Sequence, residues 1–226
     1  MPHHTKVIVA GEPLSKQIRQ KFFDLYQKNI IDNYGTSETW GTIAIQDSDT
    51  DDWNDNVGTV LKGVEYKIVD GELYVKHPSR ALMYWKNKTA NDYTFQGDWF
   101  RTGDSVKLRD DGKLQFLGRR DNQLKIKGIF VSPLEIETVI MDFQGIENCV
   151  TVGIQNKDGL NEIHSFLLLS NNNEDFDKKM LQNYVRSKLP KEKVPTAIHI
   201  VKEIPKTINN KTKRKYFVEL LTNLPK

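Results

Sequence analysis

Three short stretches gather residues able to do chemistry. The first, Gly118–Glu137 (GRRDNQLKIKGIFVSPLEIE), places Arg119 and Arg120 after a glycine, as fixed cations suited to hydroxyl, carboxylate or phosphate partners. Asp121 closes that turn. Gln123–Lys127 then alternates polar and apolar in strand fashion before Gly128, which has no Cβ and suits a place where the backbone must bend or let something approach closely. Ser132-Pro133-Leu134-Glu135 reads as a helix N-cap, a proline at the first helical position and a carboxylate three residues past the cap. The second stretch, Asn33–Glu38 (NYGTSE), offers an aromatic face at Tyr34 to cover a base and Gly35 for close approach. Thr36 and Ser37 add hydroxyls for phosphate oxygens, and Glu38 a carboxylate able to hold Mg²⁺. By itself this run also fits a plain turn. The third, Pro205–Lys215 (PKTINNKTKRK), sets Asn209-Asn210 before Lys211, a tight turn displaying one lysine, with an apolar helix start following at Tyr216–Leu220. Its charge alone also fits a nucleic-acid or localisation patch.

The elements that must position these residues follow from periodicity. Lys6–Ala10 is a β-branched run stopping at Gly11-Glu12-Pro13, and reads as a buried strand. Ser15 caps a helix in which Ile18, Phe22 and Leu25 share one face, and a second strand around Asn29–Asp32 delivers the chain to the loop Tyr34–Glu38. Strand, helix, strand is a βαβ-like unit, and ligands of open α/β sheets sit beyond the carboxyl ends of such strands. From Val57 to Leu117 short strands predict a small antiparallel sheet or half-barrel: Val64–Val69, Gly71–Lys76, Val106–Leu108 and Leu114–Leu117, the last two joined through Asp110-Asp111-Gly112. Tyr84, Trp85, Tyr93, Phe95, Trp99 and Phe100 supply its core and rim. Asp104 closes a turn at WFRTGD, where a carboxylate commonly bonds nearby amides. Past Arg120–Asn122, helices at Pro133–Phe143 and Glu174–Lys188 alternate with strands at Cys149–Ile154, Ile163–Leu169 and Ala197–Val201. That pattern predicts a small α+β domain with helices on one side of a three-stranded sheet.

Composition narrows the classes. A chain of 226 residues with 38% hydrophobic and 28% charged residues is ordinary for a globular protein and long enough to bury a core. A net charge of +3 gives no global attraction to nucleic acid or membrane, and the aromatic residues lack interleaved basic partners along a groove. The lone Cys149 fits a reducing cytoplasm. No segment approaches a membrane-spanning length, and the N-terminal run has no signal-peptide core. The five histidines show no zinc spacing, His3-His4 reading as an exposed terminal pair. The acidic run Asp47–Asp55 fails the calcium-loop test: Asp52 stands where glycine is needed and Gly58 where glutamate is needed, leaving a solvated loop.

GRRDNQLKIKG with its SPLEIE helix start resembles the inter-domain hinge of the adenylate-forming superfamily, the acyl-CoA synthetases, peptide-synthetase adenylation domains and luciferases. NYGTSE, WFRTGD and PKTINNKTKRK agree with that family in the same order, while its Ser/Thr/Gly-rich phosphate loop has no counterpart in this sequence. The resemblance implies a C-terminal part of such an enzyme. Residues 1–120 would carry the end of the large domain, a truncated βαβ remnant plus an antiparallel half-barrel; residues 121–226 would be a mobile α+β lid hinged at Asp121. It implies that Tyr34 stacks on adenine beside the Gly11-Glu12-Pro13 loop with Gly35 and Thr36. It also implies that Ser37 (usually threonine) meets the α-phosphate, that Glu38 helps bind Mg²⁺, and that Asp104 and Arg119 hold the ribose. Lys211, preceded by Asn210 where the family has glycine, corresponds to the catalytic lysine. Lys125 and Gly128 lie on the strand that swings in for the thiol step.

The implied reaction activates a carboxylic acid with ATP to acyl-AMP and passes the acyl group to CoA. GIFVSPLEIE is closer to acyl-CoA synthetases than to adenylation domains serving a carrier protein, and a fatty acid is the family-level expectation for the acid. The isolated chain is expected to be weak or inactive. A non-catalytic AMP-binding or interaction fragment is the alternative, and a homodimer stays open.

Overall fold

The computed structural model describes residues 5–46, 56–157, 159–170, 176–208 and 211–222. His3-His4, the acidic run 47–55, the polar run 171–175 and the Asn209-Asn210 turn lie outside them. The chain divides into two compact units, Met1–Asp121 and Asn122–Lys226. Among the described residues no helix is long and apolar enough to cross a membrane.

The first unit opens with β1 (Val7–Ala10), α1 (Lys16–Tyr26) and β2 (Ile30–Thr36), with β1 parallel to β2, Val7 opposite Ile30 and Ala10 opposite Asn33. This is the expected βαβ order, but its burial differs in two ways. β1 ends the sheet, and Ile8 is 54% exposed, so the strand is not buried. On α1 the Ser15 hydroxyl accepts from the Ile18 amide as a cap should, yet Ile18 and Leu25 are exposed and the buried residue is Arg19. Its guanidinium donates to Asp32 Oδ2 (3.0 Å), Ile30 O (2.9 Å) and Gln46 Oε1 (3.1 Å). A polar anchor, satisfied on several sides, holds this helix to the sheet where periodicity pointed to an apolar stripe.

The chain continues through β3 (Gly41–Ile45), β4 (Asn56–Val60), β5 (Glu65–Val69), β6 (Glu72–Lys76), α2 (Lys88–Thr94), β7 (Phe95–Gln96), β8 (Trp99–Leu108) and β9 (Leu114–Arg119). Strand order β1-β2-β3-β4-β9-β8-β6-β5, with β7 on β8, makes one nine-stranded sheet with no closed barrel. The βαβ piece and the antiparallel piece are therefore continuous, because β3 pairs antiparallel with both β2 and β4. Ile43, Leu73, Val75, Phe100, Val106 and Leu114 form its core. Of the aromatic group only Phe100 is fully inside; Trp85 and Tyr93 face solvent.

WFRTGD is not a turn. It lies within β8, which kinks at Gly103 (φ +73°) and shifts register between Ser105 and Val106.

The second unit begins with a hairpin, β10 (Leu124–Ile126) and β11 (Ile129–Val131), whose two turn residues Lys127 and Gly128 both have positive φ, as a two-residue mirror-image turn requires. Ser132 takes the N-cap of α3 (Pro133–Met141) with Pro133 at its start, while Glu135 binds the Lys193 ammonium at 2.7 Å. β12 (Ile146–Gln155), β13 (Asn161–Leu169), α4 (Lys178–Lys188), β14 (Ala197–Val201) and α5 (Arg214–Thr222) follow. The expected three strands form one sheet in the order β12-β13-β14. α4 begins at Lys178 rather than Glu174 because Asp177 caps it, accepting from the Lys179 and Met180 amides.

The helices are not all on one side of this sheet. Ile136 and Ile140 of α3 and Leu181 and Val185 of α4 pack with Ile163 and Leu167, whereas Phe217 of α5 packs with Val150, Val152 and Phe166. Alternating residues of β13 feed two separate cores, so the strand is apolar on both faces and its pattern does not reveal a side.

Candidate functional site

In the first unit Asp104 of β8 stands opposite Arg119 of β9 and is 4% exposed. Its Oδ1 accepts from Arg119 Nη1 at 3.2 Å, and its Oδ2 accepts from the Tyr34 hydroxyl of β2 at 2.5 Å. Arg119 also donates to Thr102 O at 2.7 Å, and its guanidinium lies over Gly103, where a Cβ would come within 2.8 Å of Nη2. Glycine is needed at 103 both for this close approach and for the kink. Arg119 Nε reaches Asp121 Oδ1 at 3.4 Å, in the short turn Arg120–Asn122.

Burial pushes the Asp104 carboxyl above its ordinary range, with Tyr34 and Arg119 pulling it back. Burial, and then the Asp104 charge, hold the Tyr34 phenol well above 10.0, so it remains a donor. The result is a buried carboxylate with a phenol on one oxygen and a cation on the other, an acceptor pair matched to vicinal hydroxyls.

Beyond the carboxyl ends of β1 and β2 lies an open cleft of about 590 Å³, lined by Ala10, Gly11, Asn33, Gly35, Thr36, Ser37, Trp40 and Gly41. The sequence places Tyr34–Thr36 in a loop; they are the end of β2, and Ser37–Thr39 is a short 3₁₀ turn. Gly35 is required by the neighbouring strand, since a Cβ there would sit 2.1 Å from Gly41 O. Four expected residues, Gly11, Gly35, Thr36 and Ser37, therefore share one cleft. Glu12 and Pro13 are exposed and do not line it, and the Tyr34 ring is turned toward Phe116, 6.1 Å away between centroids.

Glu38 Oε1 accepts from the Tyr84 hydroxyl at 2.7 Å; burial, then Glu38, push that phenol up to about 12. Trp40 escaped the sequence reading. It is 87% exposed, held at φ +52°, and follows a motif whose signal stops at Glu38.

The remaining candidates belong to the second unit. Gly128 sits at the tip of the β10–β11 hairpin, and Lys125 is tied through its carbonyl to the Asn161 amide at 2.6 Å. Lys211 is exposed on a loop closed by Thr207 N to Lys211 O (2.7 Å), Lys211 N to Thr207 Oγ1 (3.1 Å) and Lys213 N to Pro205 O (2.9 Å). Arg214, at the start of α5, anchors that loop. Its guanidinium grips both oxygens of the buried Glu137 on α3, with Nη2 to Oε2 at 2.6 Å, and reaches Thr151 O at 3.0 Å. The Thr151 amide donates to the same Glu137. This pair also escaped the sequence reading, although both residues lie inside stretches already singled out.

Residues 1–85 match the family model described as AMP-binding enzyme, and residues 135–211 match the AMP-binding enzyme C-terminal domain. Benzoate–CoA ligase of Thauera aromatica is 28% identical over 91% of this chain and 41% of its own length. A long-chain-fatty-acid–CoA ligase of Escherichia coli is 25% identical over 88% and 37%. The crystal structure of the anthranilate CoA ligase AuaEII in complex with anthranoyl-AMP superposes with a TM-score of 0.86 at 26% identity, over 96% of this chain and 45% of that one. The chain thus spans less than half the length of these relatives.

Proposed function

The chain belongs to the AMP-binding enzyme family, and from that premise we propose that it serves the ATP-dependent activation of a carboxylic acid to acyl-AMP and the transfer of the acyl group to CoA. The observation that carries this reading is the Tyr34–Asp104–Arg119 cluster, a buried carboxylate prepared for the two hydroxyls of a ribose. Ser37 and Thr36 offer hydroxyls to the α-phosphate from the wall of the cleft.

The carboxylate of the acid attacks the α-phosphorus and pyrophosphate leaves; the CoA thiol then attacks the acyl carbon and AMP leaves. Two anions must meet in the first step. Lys211, an exposed ammonium on a loop closed by its own hydrogen bonds, supplies the compensating charge, a role in which one preorganised cation is worth several kcal/mol. Lys125 and Gly128, on the hairpin after Asp121, serve the thiol step, where a glycine tip admits a narrow pantetheine arm.

Among the described residues no group of three or more His, Cys, Asp or Glu side chains forms a metal site. Glu38 fits Mg²⁺ as a lone carboxylate ligand, completed by phosphate oxygens of the nucleotide, and the ion when bound offsets phosphate charge. A cytosolic setting suits this chemistry and a single buried cysteine.

The test is AMP release from ATP, Mg²⁺, CoA and a mixed panel of acids, by the chain alone and with a phosphate-loop region of a relative supplied. Acid-dependent AMP that disappears in Lys211→Ala is the expected result, with the higher rate in the supplemented reaction. Silence of the parent in both settings overturns the reading in favour of a non-catalytic nucleotide-binding fragment.

A further inference from the structure

We infer that the His164–His199 pair positions the loop that carries Lys211, and that it releases this loop when a second proton enters the pair. The inference goes beyond the proposed function, because it concerns the order of a loop whatever reaction that loop serves. His164 of β13 is 9% exposed, and its Nδ1 lies 3.0 Å from Nε2 of His199 on the edge strand β14. Only one proton fits between two such nitrogens. Glu162 Oε2 stands 3.5 Å from His164 Nε2, and its other oxygen accepts from the Asn156 amide at 2.8 Å, so the carboxylate draws the first added proton to His164. The pair then still holds, with His164 Nδ1–H donating to His199 Nε2.

What the pair secures is the seat of the loop. The His199 ring lies on Phe166, with 4.7 Å between centroids and 18° between planes, and Phe166 lies against Phe217 of α5 at 4.5 Å. Phe166 and Phe217 share one cluster with Ile204, and Val201, the last residue of β14, packs against it. Ile204 precedes the Lys211 loop and Phe217 follows it, so both roots of the loop are seated with the ring that His199 covers. Protons on both imidazoles would set two N–H donors and two like charges against each other, which removes the hydrogen bond and drives His199 off Phe166. Charge reaches the pair from Glu162 on β13 and from Lys178 at the start of α4, while β12 places the apolar Val152 opposite His164 and α5 presents Phe217. Burial first, then His164 and Lys178, hold His199 below its ordinary 6.5. A folded value below the unfolded one means that the contribution of this group is complete above pH 6.5 and is lost as pH falls through the folded value. Release therefore belongs to the acid side of pH 6.5.

The test is native-state amide exchange by NMR at about pH 7.5 and about pH 5, corrected for intrinsic rates, for the parent and His199→Gln. The reporting amides are Thr207, bonded to Lys211 O at 2.7 Å, Lys211, bonded to Thr207 Oγ1 at 3.1 Å, and Lys213, bonded to Pro205 O at 2.9 Å. Their protection should fall by about tenfold or more in the parent, since one proton taken up shifts an opening equilibrium by up to about tenfold per pH unit. In His199→Gln, whose side-chain oxygen accepts from His164 but gains no charge, protection should hold within about twofold across the same interval. Leu181 and Val185 of α4, seated in the other cluster of this unit, are the reference and should keep their protection. Loop amides equally protected at both pH values in the parent, a loss as large in His199→Gln, or an equal loss at Leu181 and Val185 each overturns the inference. Should His199→Gln fail to fold, the pair is read from imidazole chemical shifts: the His199 pKa should rise in His164→Gln, and an unmoved value overturns the inference as well. Exchange is read without turnover, so this result and that of the AMP-release assay stand apart.

Discussion

At the scale of single residues, Asp104 holds opposed demands: burial disfavours its charge, while a ligand sugar would need that charge as an acceptor. Its pKa is raised above 3.8, so the folded state binds its proton more tightly than the unfolded chain does. The stability this group gives is therefore complete below about pH 3.8 and is lost as pH rises through the folded value. Asp104→Asn does not titrate. Its urea-unfolding stability relative to the parent should rise between pH 4 and pH 7, while its AMP affinity drops by about tenfold to a hundredfold, the worth of a charged acceptor. A fall in the variant's stability relative to the parent over that interval would contradict the assignment. The pairing of Asp104 with Arg119 follows from two dense motifs in the sequence, whereas Tyr34 reads there as an aromatic face, and its hydroxyl bond to Asp104 gives no sequence signal. Trp40 was not legible, because a lone tryptophan after such a motif looks like any core aromatic until its exposure is seen.

Elements were legible where one face is apolar and lost where polar anchoring or double-sided burial replaces that pattern. β14 occupies the expected Ala197–Val201, and the β8–β9 hairpin turns through Asp110-Asp111-Gly112 as its residues require. By contrast α1 turns Arg19, not its apolar stripe, to the sheet, and β3 follows a polar turn too closely to announce itself. The ion pair joining α3 to α5 carries the same lesson into energetics. Glu137 is 6% exposed and is held by Arg214 and the Thr151 amide. Arg214→Met leaves that carboxylate buried without its cation and should cost about 3–5 kcal/mol. The pair Glu137→Leu with Arg214→Met should cost much less, which a double-mutant cycle in urea would measure. In Arg214→Met, amide exchange in the loop preceding α5 should quicken, because the guanidinium anchors the start of α5, where the Lys211 loop ends, to Glu137 of α3 and Thr151 of β12. A double replacement that costs the sum of the Glu137→Leu and Arg214→Met single replacements would mean that the pair does not act as one unit.

At the scale of the molecule, three hydrophobic clusters divided between two units govern how the chain responds. One is built on Phe100, Leu73 and Val75; the other unit packs Ile136, Leu181 and Leu167 on one face of its sheet and Phe217 on the other. Each unit keeps its hydrophobic cluster within its own residues, the condition under which domains unfold separately. A calorimetric scan should accordingly resolve two transitions. Phe100→Ala, which empties a site 2% exposed, should lower one midpoint through a loss of about 3–5 kcal/mol, and Arg214→Met should lower only the other. A single transition moved by both substitutions would rule out independent units. Separate unfolding matters for mechanism. Under the proposed function, the Lys211 loop would serve the acyl-AMP step and the Lys125–Gly128 hairpin the thiol step, which would need the two loops to move as one body. The Arg214 guanidinium and the Asn161–Lys125 bond tie both loops to the same small sheet, at Thr151 of β12 and Asn161 of β13, the condition for the two loops to move together.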